Sequence, residues 1–159
     1  MKRGVNTKHT KSLKFPIVGW RWLWEPRKSF SQSHMLRIGL IDVDGGKAFP
    51  NLALMKISAY HKSIGDEVSW YYPFDTRYDK VYMSKVFSFT PDYDEVINAD
   101  EVVKGGTGYA ITLVDGKEVF DKSKDVNLPA EVEGMYPDYS LYPHLTKDTA
   151  YGFLTRGCP

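Results

Sequence analysis

With a single cysteine, Cys158, among its 159 residues, the chain has no means of forming an intrachain disulfide, which fits a reducing, cytoplasmic setting. Nor does any stretch approach the roughly 18 uninterrupted apolar residues that a membrane span requires. The early run Phe15 to Trp24 is broken by Pro16, Gly19 and Arg21, so it lacks the core of roughly 7 to 15 apolar residues of a secretory signal. His9, His34, His61 and His144 lie far apart, and no pair has the spacing of a metal site. The GxGxxG fingerprint and the Lys-Ser/Thr of a phosphate loop are both missing, as are a nucleophile elbow and a Ser/His/Asp pattern. There is no internal repeat and no low-complexity tract.

What remains is the composition of a globular chain long enough to bury a core of its own. It is 42% hydrophobic and 26% charged, with 14% aromatic residues led by eleven tyrosines, and its length suits one domain. Charge is split along it. Residues 1–34 carry eight Lys or Arg against one acid, Glu25, a net +7, and the remainder carries a net −6. This leader reads either as an extension outside the core or as a basic arm for an anionic partner. The first reading is preferred, because Met35 is followed at once by Leu36-Arg37-Ile38-Gly39-Leu40-Ile41-Asp42-Val43, a natural start for a Rossmann-like domain. Nucleic acid is disfavoured, since base stacking on the tyrosines needs a basic groove and the body is acidic.

From Met35 onward the pattern alternates strands and helices. Leu36 to Val43 is a nearly continuous aliphatic run, as in a parallel strand buried on both faces, ended by Asp44-Gly45-Gly46. Pro50 reads as the first helical residue, Ala53, Ile57, Tyr60 and Ile64 as the buried stripe, widened by Leu52, Met55 and Ala59, and Gly65 as the left-handed stop. Glu67 to Tyr72, Lys80 to Val86 and Glu101 to Lys104 read as further strands, with a short helix opened by Thr90-Pro91-Asp92 and running to about Asn98. Asp115-Gly116 between Ile111–Val114 and Lys117–Phe120 gives a tight-turn hairpin, taken as an edge decoration. The Pro- and Tyr-rich stretch beyond it reads as an irregular linker docked through its rings, with one helical turn near Ala130 to Glu133. The expected fold is α/β, a Rossmann-like, mostly parallel sheet of four or five strands with flanking helices and a hairpin addition. The expected organisation is a leader over 1–34, the domain over 35–127, the linker over 128–149 and a further element over 150–159.

Ligands of such sheets sit at the carboxyl ends of the strands. That places Asp42, Asp44, Gly45 and Gly46 after the first strand, and Gly105, Gly106, Thr107 and Gly108 after the fourth, on one rim. Glycines there permit close backbone approach and their N–H groups favour anions; plain tight turns are the competing reading. Asp75 with Asp79, Asp92 with Asp94 and Glu95, and Glu131 with Glu133 fall where acids normally cap and solubilise rather than catalyse.

At the far end, the apolar run Ala150 to Leu154 leads into Thr155-Arg156-Gly157-Cys158-Pro159. This resembles the entry to the CxxxCxxC loop of radical S-adenosylmethionine (radical SAM) enzymes. From Met35 onward, Pro50-Asn51-Leu52-Ala53-Leu54 and Lys104-Gly105-Gly106-Thr107-Gly108 occur in an order of elements similar to the amino-terminal cobalamin-binding-like domain ahead of many radical SAM barrels. The resemblance implies an accessory domain truncated at the start of its barrel and inert as a catalyst alone, whose parent binds a four-iron four-sulfur cluster and S-adenosylmethionine. It makes Cys158 a cluster ligand and the missing carboxy-terminal barrel the partner. Base-off cobalamin proteins donate a His from a DxHxxG loop; Asp42-Val43-Asp44-Gly45-Gly46-Lys47 has none, so cobalt ligation through that motif is not expected. The alternative is a stand-alone small-ligand-binding module of flavodoxin or cobalamin-binding shape.

Overall fold

A computed structural model of the chain describes residues 34–46 and 48–152. Four strands, β1 (Arg37–Asp42), β2 (Glu67–Trp70), β3 (Tyr78–Ser84) and β4 (Ala99–Gly105), form one parallel sheet in the order β2-β1-β3-β4. The α/β, Rossmann-like architecture expected from the alternating pattern is therefore present, with four strands. β1 is central, and Ile38, Leu40 and Ile41 are buried along it, which is why its sequence is aliphatic without alternation. Gly39 faces Val81 and Tyr78 so closely that a Cβ there would lie 2.9 Å from Val81 Cγ2.

Helix α1 (Leu52–Ser63) packs on one face of the sheet. Pro50 lies before the cap rather than inside the helix: Asn51 is the N-cap, accepting from the Leu54 N–H at 3.2 Å and donating to Ser84 Oγ at 2.8 Å. Gly65, with φ +86, follows the last turn as expected. The buried stripe is Leu54, Met55, Ile57, Ser58 and His61, whereas Ile64 is 38% exposed. It is rotated from the expected apolar stripe because two polar residues are buried with partners. Ser58 Oγ donates to Asp138 Oδ2 at 2.6 Å, and His61 bridges Asp66 at 2.8 Å and the Tyr82 hydroxyl at 3.0 Å.

The opposite face of the sheet, with Ile41, Tyr78, Val81 and Met83, is packed by Tyr71, Tyr93 and Ile97 from irregular stretches. The helix expected from Thr90 to about Asn98 does not form. Its cap residues are engaged elsewhere: the Thr90 hydroxyl donates to Asp44 Oδ1 at 2.6 Å, and Asp92 accepts from Lys104 at 2.7 Å and Tyr109 at 2.6 Å. After β4 come a helical turn, α2 (Thr107–Ala110), and a hairpin of β5 (Ile111–Val114) and β6 (Lys117–Phe120). Asp115 and Gly116, with φ +51 and +74, make its turn. The hairpin is a separate two-stranded sheet, not an edge of the parallel one. It is tied to the loop after β3 by Ser88 Oγ donating to Glu118 at 2.7 Å.

Residues 128–149 lie against α1. Val132 of α3 (Ala130–Glu133), Leu141 and Tyr142 are buried in the same cluster as Ile38, Leu40, Leu54 and Met55. The Asp138 N–H donates to the Met55 carbonyl at 3.0 Å, and burial of each large side chain here contributes about 1.5–3 kcal/mol. Residues 1–33, Lys47 and 153–159, including most of the basic leader and Cys158, lie outside the described residues.

Burial pushes the Asp138 carboxyl up, but hydrogen bonds from Lys62, Ser140 and Ser58 outweigh it and hold the group at about 2. A depressed folded-state value stabilises above the unfolded value of about 3.9, and that contribution is lost as pH falls toward about 2. Asp138→Asn is therefore expected to cost about 1–2 kcal/mol at neutral pH, allowing for solvent screening of the half-exposed Lys62. The gap to wild type in urea unfolding should shrink between about pH 4 and pH 2; a gap constant across that range would contradict the assignment.

Candidate functional site

At the carboxyl end of β1 the chain opens a cleft of about 530 Å³, within the usual size of small-molecule sites. Its position follows from the strand order: the chain leaves the end of β1 toward β2 and the end of the neighbouring β3 toward β4, in opposite directions. Asp42, Gly45 and Gly46 line it from β1 and the turn that follows, and Trp70, Tyr71 and Pro73 from the end of β2 and beyond. Tyr93 and Glu95 come from the stretch between β3 and β4. Leu141, Tyr142 and His144 close it from the carboxy-terminal segment that includes α4 (Pro143–Thr146).

Asp42 and Tyr142 join the two ends of the domain. The Tyr142 hydroxyl donates to Asp42 Oδ2 at 2.6 Å, and the Asp44 N–H reaches Asp42 Oδ1 at 3.2 Å. Burial pushes the Asp42 carboxyl up, opposed by the hydrogen bond from Tyr142. Burial and the same bond to Asp42 push the Tyr142 phenol up, so it stays a neutral donor. Gly46, at φ +53, lets the turn pass beneath this ring: a Cβ there would lie 2.6 Å from Tyr142 Cε1. The Trp70 ring meets Tyr142 edge-on at 5.1 Å, and Tyr71 meets Tyr93 edge-on at 6.2 Å. The Tyr93 hydroxyl donates to Glu95 at 3.1 Å, and its value is pushed up to about 12 by burial and by that carboxylate.

The residues expected on the rim divide into two groups. Gly45 and Gly46 line the cleft. Asp44 is committed to the fold, accepting from the Val86 N–H at 2.6 Å, the Phe87 N–H at 3.4 Å and Thr90. Gly105, Gly106, Thr107 and Gly108 are not among the cleft's lining residues; they pack on the Lys85–Val86 backbone. The Gly105 carbonyl accepts from the Lys85 N–H at 3.0 Å, the Gly108 N–H donates to the Lys85 carbonyl at 3.0 Å, and the Thr107 hydroxyl donates to the Val86 carbonyl at 2.9 Å. Gly106, at φ +99, has no room for a side chain, since a Cβ would lie 2.3 Å from the Lys85 oxygen.

Trp70, Tyr71, Tyr93 and Tyr142 carry no site signal in the sequence, and Glu95 and His144 read there as a solubilising acid and an isolated histidine. The strand-end rule applied to β2 would have found Trp70 and Tyr71. Tyr142 and His144 reach the cleft from about a hundred residues away, and no local pattern announces that. Among the described residues no cluster of three or more His, Cys, Asp or Glu is arranged to hold a metal ion, and no helix is long and apolar enough to cross a membrane.

Gly106→Ala separates a packing role from ligand contact. It is expected to lose more than about 2 kcal/mol in denaturant unfolding, from the left-handed backbone and the clash with Lys85. A variant of unchanged stability would return this glycine to the list of ligand-contact candidates.

Comparison of the chain with protein-family models, with curated proteins and with solved structures found no match, so the site is interpreted from its own geometry.

Proposed function

We propose that the chain is the amino-terminal accessory domain of a radical SAM iron–sulfur protein, inert as a catalyst by itself, which covers or positions substrate over a cluster in the domain that follows. The observation that carries this reading is the sequence Thr155-Arg156-Gly157-Cys158-Pro159 after the apolar run Ala150 to Leu154. The geometry supports it in one respect: the segment leading to that sequence also forms a wall of the cleft. The Tyr139 hydroxyl engages both backbone groups of Tyr151, donating to its carbonyl at 2.9 Å and accepting from its N–H at 3.2 Å. Leu141, Tyr142 and His144 of the same segment line the site. The loops over the second face of the sheet expose Phe74, Phe89 and Val96, apolar surface of the kind a neighbouring domain covers.

The chain's own residues fit a cluster only in part. Cys158 is its single cysteine, and a four-iron cluster takes Cys ligands in plural, so further thiolates would come from residues beyond Pro159. A bound cluster with S-adenosylmethionine would supply reductive radical chemistry; this domain's contribution is to bind, orient and shield. The second reading, a stand-alone small-ligand module, is favoured by the cleft's volume and aromatic lining. It predicts measurable binding of flavin or cobalamin by the chain alone.

Reading the gene downstream of Pro159 is expected to give two more cysteines completing CxxxCxxC with Cys158. The extended protein, reconstituted without oxygen, is expected to hold about four irons per cluster site and to lose most of them in Cys158→Ala. A stop codon followed by unrelated sequence, or iron content indifferent to that substitution, would overturn the proposal.

A further inference from the structure

The chemistry around the cleft is one-sided. Asp42 and Glu95 line it, and Asp44 stands next to it with its carboxylate held by the loop after β3. Among the described lining residues there is no Lys and no Arg. The two phenols beside the carboxylates, Tyr142 on Asp42 and Tyr93 on Glu95, are donors and bring no positive charge. Each carboxylate keeps acceptor capacity beyond its phenol, since an ionised carboxyl offers about four lone-pair sites. Glu95 is exposed and meets solvent at the mouth, while Asp42 lies half-buried at the floor.

The walls between these charges are aromatic. Trp70 is 38% exposed, and Tyr71 and Tyr93 are half-buried. Ring faces carry negative quadrupole potential and attract cations that approach them, and flat apolar ligands stack on them. A phosphorylated ligand would be repelled by these carboxylates, with His144 and the N–H groups of the glycine turn alone to offset them.

We propose that this cleft is a binding site for a small cationic aromatic amine, its ring held against Trp70, Tyr71 and Tyr93 and its positive charge favoured by the carboxylates of Asp42 and Glu95 that line the same cleft. This inverts the expectation that the glycine rim selects anions. It does not rest on the accessory-domain reading, because every group it uses lies within residues 42–144 and is tested in the chain as it stands.

Two probes share a ring and differ in charge: tryptamine, a cation, and indole-3-acetate, an anion. Calorimetric titration of the full chain is expected to give tryptamine at least about tenfold tighter binding. Glu95→Gln, a change at an exposed position, is expected to weaken tryptamine about threefold and to leave indole-3-acetate the same or improved. Asp42→Asn still accepts from Tyr142 and should weaken tryptamine more; a thermal melt checks its fold, and if it unfolds, Glu95→Gln alone decides. Binding of neither probe at millimolar concentration, equal affinity for both, or a preference retained in the folded variants would each overturn the proposal.

Discussion

The site depends on what the end of β1 does with two carboxylates. Asp42 takes a hydrogen bond from Tyr142 in the carboxy-terminal segment, and Asp44 takes three from Val86, Phe87 and Thr90 in the loop after β3. Two acids two residues apart thus hold different walls of one cleft. Hydrogen bonds to a charged acceptor contribute about 1.5–3 kcal/mol each. They offset part of the cost of ordering a segment without regular structure, which is about 1–2 kcal/mol per residue. Residues 85–98 have almost none, so side-chain bonding takes the place of a helix there.

The other end of the sheet is built differently. Asp66, buried, accepts from the Leu36 N–H at 3.0 Å and pairs with His61, which reaches the Tyr82 hydroxyl. Burial pushes the Tyr82 phenol well up, so it remains protonated. This clasp ties the start of β1 to the last turn of α1 and to β3 and opens onto no cleft residue. Its polar groups are satisfied among themselves, which is the condition for burying them at all. The cleft, with the aromatic residues Trp70, Tyr71, Tyr93 and Tyr142, lies at the carboxyl ends of the strands.

How much of this was legible in the sequence follows from the range of each interaction. β1, the hairpin at Asp115-Gly116 and the stop at Gly65 are set by side-chain periodicity and turn chemistry within a few residues, and they appear where expected. The face of α1 is legible in part: Met55 and Ile57 are buried as the spacing predicts, but apolar spacing gives no weight to Ser58 and His61, whose burial depends on Asp138, Asp66 and Tyr82. The helix after Thr90 was misread for a related reason: its cap signals are real, but Asp44, Lys104 and Tyr109 compete for those side chains. The rim rule puts Asp42, Gly45 and Gly46 at the end of β1, where they line the cleft. It could not show that Gly106 and Gly108 serve the approach of the Lys85 backbone, nor that Tyr142 completes the cleft.

The joining of the two walls across the Asp42–Tyr142 bond is tested most directly by a double-mutant cycle in denaturant unfolding, using Asp42→Ala, Tyr142→Phe and the pair. Direct bonding in a largely buried setting predicts a coupling of at least about 1 kcal/mol. Additivity within about 0.3–0.5 kcal/mol would mean that the two groups act independently and that the cleft is not held together as described.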